Sequence, residues 1–219
     1  MSHLVPQLIN LFATLILLLS FAMIAQRRVV SLINLFTIQG AALAAASFLL
    51  GYVTGHPDLY VSGALTLVLK VFLIPWMLHR MVRKLNVRWD VETLINIPTI
   101  MLVGIALVIF SFSLALPISR LSDSIAGGAL GIALACVMLS FMMMITRSKA
   151  VPQVIGFLSM ENGLLFAATT VTSGMPMIVE FGIALDVLVG VLILGVFMFQ
   201  IREKFDSLDI HHLETLKDE

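Results

Sequence analysis

Charge is what this sequence has least of. Only 12% of its 219 residues are Asp, Glu, Lys or Arg, against about a quarter in an ordinary soluble domain. The acidic and basic residues balance at 13 each, so no bulk field points to a nucleic-acid partner, and the basic residues are informative about topology instead. Cysteine is nearly absent too. A lone Cys136 excludes an internal disulfide, a CxxC metal knuckle and an iron–sulfur cluster ligated by this chain alone. The chain also lacks a nucleotide-binding motif, a metal-ligand cluster and a catalytic triad, which argues against an enzyme in its own right. What fills the sequence is apolar: 60% of residues are hydrophobic and the mean hydropathy is +1.07. These values describe an all-α integral membrane protein.

Seven runs are long enough to cross a bilayer, at about 20 residues per crossing: 5–25, 29–53, 59–79, 94–116, 125–145, 151–171 and 175–201. The first has its positive charge after the apolar stretch, at Arg27 and Arg28, which is the reverse of a secretory signal peptide and predicts a retained helix. Basic residues test the count. With seven spans, Arg27, Arg28, Arg80, Arg83, Lys84, Arg88, Arg147, Lys149, Arg202, Lys204 and Lys217 fall on one side and only Arg120 on the other. By the positive-inside rule the amino terminus is outside and the carboxyl terminus inside. Trp76 and Trp89 read as interface anchors. In the polar tail, His211 and His212 are adjacent and would point apart on a helix, so the pair is a poor metal site.

Against this apolar background a few ionisable residues stand out. Glu161 lies near the middle of 151–171 and Asp186 near the middle of 175–201, two runs separated only by a short turn. A charge at the membrane centre costs roughly 2.5–3.5 kcal/mol even on lenient insertion scales, so such residues face protein or water and serve a function by default. A carboxylic acid in a low-dielectric setting can take up and release protons at physiological pH, which is the property of a relay. Helix geometry puts Glu161 about 15 Å from one end of its helix and Asp186 about 14 Å from the opposite end of its own, at similar depth. Gly182, Asp186 and Gly190 are spaced by four, which sets the acid on a close-packing seam. Glycines 127, 128, 131, 156 and 163 predict further close helix contacts. Lys70 is a third intramembrane charge, with Pro75 after it as a kink candidate. Lysines in membranes pair with acids or give up their proton, and the sequence does not name its partner. His79 and Glu180 are secondary candidates. The first lies beside Arg80 near a helix end and the second about a turn inside the interface, where anchoring or simple solvation is the blander explanation.

The segment RSKAVPQVIGFLSMENGLLFA, with its basic loop, mid-membrane Glu161 and following acidic helix, resembles the three-helix K subunit of respiratory complex I over roughly residues 125–210. Asp186 stands where that family has Glu. The segment QRRVVSLINLFTIQGAALAA repeats the layout with Gln39 near the acid's place, which predicts a partly degenerate duplication. A seven-helix chain with such a half is similar to component E of hydrogenase-4 and formate hydrogenlyase-type complexes. The resemblance implies helices one to four over 1–123, a K-subunit-like unit over 124–204 and a polar cytoplasmic tail over 205–219. It implies a multi-pass subunit of a bacterial or archaeal cytoplasmic membrane, with no cofactor in this chain. Iron–sulfur clusters and a nickel–iron site are expected in partner subunits, and antiporter-like and hydrogenase-anchoring subunits are the expected neighbours. Glu161, Asp186 and Lys70 would form a proton path driven by the partners' redox chemistry. The competing reading is a component of a multisubunit cation/proton antiporter, whose acids bind the cation directly.

Overall fold

A computed structural model describes residues 4–85, 93–119, 126–172 and 190. Within hydrocarbon a backbone must satisfy its own hydrogen bonds, so apolar runs of this length become helices. The described helices are α1 (Leu4–Ala25), α2 (Val29–Thr54), α3 (Pro57–Thr66), α4 (Ile74–Leu85), α5 (Ile97–Ser119), α6 (Ala126–Thr146) and α7 (Ala150–Thr172). A π-helical stretch, Leu67–Leu73, joins α3 to α4 into one continuous span. Among the described residues, six spans are long and apolar enough to cross a membrane. The predicted seventh helix over 175–201, Trp89 and the tail lie outside the described residues, apart from Gly190.

Local chemistry sets the boundaries. α2 ends at Gly55, whose φ of 70° is a left-handed conformation that favours glycine, and whose N–H returns to the Gly51 carbonyl. Pro57 then opens α3, where its missing N–H costs nothing. α5 begins three residues later than the apolar run suggests. The Leu94 amide is committed to the Thr146 carbonyl at 3.0 Å, Thr93 bridges Arg147, and Pro98 sits in the first turn, where proline is accommodated.

The α1–α2 hairpin packs on the α6–α7 hairpin, α1 against α6 and α2 against α7. The α3–α4 span lies along α2, and α5 lies along α6 and α1. Glycine permits the closest approaches: a Cβ on Gly163 would come within 3.3 Å of the Ala133 backbone oxygen in α6. Two apolar clusters result. One, at the end of the bundle that carries Arg27, Arg28, Arg80, Arg83 and Lys149, includes Met23, Phe36, Leu78, Val82, Ile100 and Leu158. The other includes Ala13, Ile16, Leu43, Ala133, Cys136 and Phe166. Helix by helix, the buried polar residues Ser20, Gln39, Glu161 and Asn162 fall between the two.

Candidate functional site

The centre of that polar layer is an ion pair. Lys70 Nζ lies 3.2 Å from Glu161 Oε1, with the two side chains 0% and 2% exposed. Glu161 is eleven residues from either end of α7, so the pair sits at mid-depth. Two local features bring Lys70 to it. First, the π-helical stretch carries an extra residue per turn: the Ile74 N–H reaches back five residues to the Leu69 carbonyl. Pro75, which lacks an N–H and would crowd the carbonyl of a regular α-turn, follows at once. Second, α2 has Gly40 where the third span crosses it, and a Cβ there would meet Lys70 Cβ at 3.3 Å. The lysine backbone thus approaches α2 closely while its side chain reaches past to α7.

A short polar line flanks the pair. Asn162 Nδ2 donates to Gln39 Oε1 at 3.1 Å. Gln39 Nε2 donates to Ser20 Oγ at 2.9 Å, and Ser20 Oγ donates to the Ile16 carbonyl at 3.0 Å. On the other flank Ser140 Oγ donates to Ser159 Oγ at 2.8 Å. Four helices and the π-helical stretch therefore contribute. Chemically, the arrangement can hold one proton on either of two partners. As ammonium and carboxylate the pair is charged but net neutral, and passing the proton across 3.2 Å makes both groups neutral, so neither state leaves net charge in the apolar interior.

The structure brings together three of the residues singled out from sequence, Glu161, Lys70 and Gln39. His79 stands apart. It is nine residues beyond Lys70 on the same span, about 13 Å along the axis, and its Nδ1 is 2.8 Å from the Pro75 carbonyl. That carbonyl can only accept, so Nδ1 carries the proton and Nε2 is left for other partners. Arg80 lies over the Trp76 ring, 5.3 Å from its centroid, which suits the anchoring role read for Trp76. Asp186 and Glu180 lie outside the described residues. No group of three or more His, Cys, Asp and Glu is placed to hold a metal among the described residues.

One important residue escapes sequence reasoning. Arg147, counted there only as a basic loop residue, is 1% exposed. Its Nη2 donates to the Ile24 and Met23 carbonyls at 2.7 and 3.3 Å, capping the C-terminal end of α1, where the helix dipole favours a cation. Burial pulls its guanidinium down to about 10, so it remains charged at neutral pH. Gln153 Nε2 in turn donates to the Arg147 carbonyl at 2.8 Å. Its only sequence signal is that it directly follows a long apolar helix with a single residue, Ser148, before Lys149.

No family model matches the chain, and no solved structure matches it. The chain is 32% identical over 212 residues to the uncharacterized Mycobacterium tuberculosis protein Rv0085, which it matches over 96% of each chain. It is 21% identical over 210 residues to Hydrogenase-4 component E of Escherichia coli K12, covering 96% of this chain and 97% of that one. The same holds for Hydrogenase-4 component E of Shigella flexneri.

Proposed function

The chain belongs to the family of the Mycobacterium tuberculosis protein Rv0085, and on that premise we propose that it is a membrane subunit of a hydrogenase-4-type complex, in which it handles protons at mid-membrane. The observation that carries this reading is the buried Lys70–Glu161 pair at 3.2 Å, an arrangement that is costly to build in hydrocarbon and suited to holding a transferable proton. The distant, full-length similarity to Hydrogenase-4 component E supplies the complex. Redox chemistry then resides in partner subunits carrying iron–sulfur clusters and a nickel–iron site, and antiporter-like and hydrogenase-anchoring subunits are the neighbours in a bacterial or archaeal cytoplasmic membrane.

The reading includes a seventh span over 175–201 with the amino terminus outside, so that Asp186 continues the relay and Glu180 lies near its outer end. The gathering of Arg27, Arg28, Arg80, Arg83 and Lys149 at one end of the bundle supports that orientation. It also includes an ancient duplication, supported by the pairing of the α1–α2 and α6–α7 hairpins, with Gln39 in one hairpin and Glu161 in the other, and the likeness of the second half to the K subunit of complex I. Direct cation binding by Glu161, as in an antiporter component, is disfavoured because an ammonium already occupies the position beside its carboxylate.

The test is proton translocation by the complex in vesicles. Glu161→Gln and the double variant K70M/E161Q both remove the acid, and the double variant does so without taking the carboxylate at 3.2 Å away from a buried ammonium. Both should lower the proton gradient built per turnover. A double variant that assembles and builds the parent's gradient refutes the proposal.

A further inference from the structure

Along the same span that carries Lys70 runs an open groove of about 560 Å³, walled by Val71, Phe72, Pro75, Trp76, Arg80 and Arg83, with His79 beside them. Its chemistry is graded. Arg83 and Arg80 lie at the basic end of the bundle, Trp76 about one turn deeper and Phe72 a further turn toward mid-membrane, all on one stripe of the helix. Phe72 and Trp76 are 63% and 58% exposed, and neither arginine has a carboxylate within ion-pair distance among the described residues.

We propose that this groove binds an anionic phospholipid of the leaflet on the basic side. The lipid's phosphate is held between the guanidinium groups of Arg80 and Arg83, and an acyl chain lies along Val71, Phe72 and Pro75. The order cation, interfacial aromatic, apolar wall follows the order phosphate, glycerol ester, hydrocarbon along a phospholipid, and guanidinium groups match phosphate oxygens in a bidentate fork. Trp76 takes the ester level, where indole rings reside. Arg80 is already positioned by its contact with that ring. A free phosphate would use the arginines but gain nothing from Phe72, and a zwitterionic lipid would use Phe72 but bring no net charge to the arginines.

The experiment is native mass spectrometry of the full chain in mild detergent, with phosphatidylglycerol or phosphatidylcholine of identical acyl chains. The parent should retain phosphatidylglycerol at least about fivefold better, the increment of roughly one arginine near a charged headgroup. R80Q/R83Q should bring the two lipids level. Phe72→Ala should weaken both lipids by a similar factor. If the double variant fails to fold, Arg83→Lys, which keeps the charge, should still retain most of the preference. Equal retention of the two lipids by the parent overturns the proposal. So does displacement of phosphatidylglycerol by inorganic phosphate alone, which would mean a bare anion site. So does a photo-crosslinker at position 76 that traps a protein subunit instead of lipid in native membranes.

Discussion

Removing the ammonium from the buried pair should cost about as much as truncating a large buried apolar side chain, and the cost should be largely recovered by removing its partner too. At 3.2 Å two unit charges attract by about 5 kcal/mol in a medium of effective dielectric about 20. Desolvation offsets much of this, so the pair itself contributes little net stability. Breaking it is another matter, because the remaining buried charge then loses its partner at 3.2 Å, at about 3–5 kcal/mol. Lys70→Met keeps the stem and removes the charge; Glu161→Gln keeps the shape and leaves Lys70 facing a neutral amide. The double variant K70M/E161Q removes both charges of the pair. Each single variant should therefore lose about 3 kcal/mol or more, and the double variant should lose clearly less than the sum, with a coupling energy on the order of 3 kcal/mol. Reversible unfolding of the purified protein, as mild detergent is exchanged for dodecyl sulfate, measures all four corners of this cycle. Additive losses, agreeing within about 0.5 kcal/mol, would refute the pair as an energetic unit.

Gly40→Leu should force the third span off α2, since even a Cβ there lies 3.3 Å from Lys70 Cβ; the same unfolding assay should register about 2–3 kcal/mol lost to overpacking. Arg147→Gln should lose about 2 kcal/mol through its hydrogen bonds to the Met23 and Ile24 carbonyls, with Arg147→Lys recovering part of it. Cys136 is fully buried, so a maleimide should leave it unlabelled in the folded protein and label it completely after unfolding. Single cysteines placed at His56 and Lys149 should be reached by a membrane-impermeant reagent from opposite sides, and labelling of both from one side would contradict the bundle.

The sequence shows its helices plainly because in hydrocarbon the length of an apolar run nearly determines the element. The six described spans fall where those runs are, with a shift at α5 caused by Leu94 pairing with Thr146. Glu161 and Lys70 stood out individually because charge is so scarce around them. Their partnership was not legible. It joins residues 91 positions apart in sequence and depends on Gly40, a third helix, and on a π-helical stretch whose only local mark is Pro75. The Gln39–Asn162 bond, likewise, follows from α2 packing on α7. Arg147 was misread as an ordinary loop charge because counting basic residues by side treats every one of them as solvated, and only the placement of α1's end reveals the carbonyls it caps.

The hydrogen bonds beside the pair all run in one direction. From Asn162 to Gln39 to Ser20 to the Ile16 carbonyl, each group hands its hydrogen the same way, and the line terminates on a backbone oxygen. A wire for protons needs every link to accept on one side and release on the other, and carboxamides do neither readily, because each would have to become a cation or an imidic acid. The line therefore behaves as insulation. It ties α1, α2 and α7 together through neutral groups, so if Glu161 handles protons as proposed, a route through the α1–α2 hairpin would have to bypass this line.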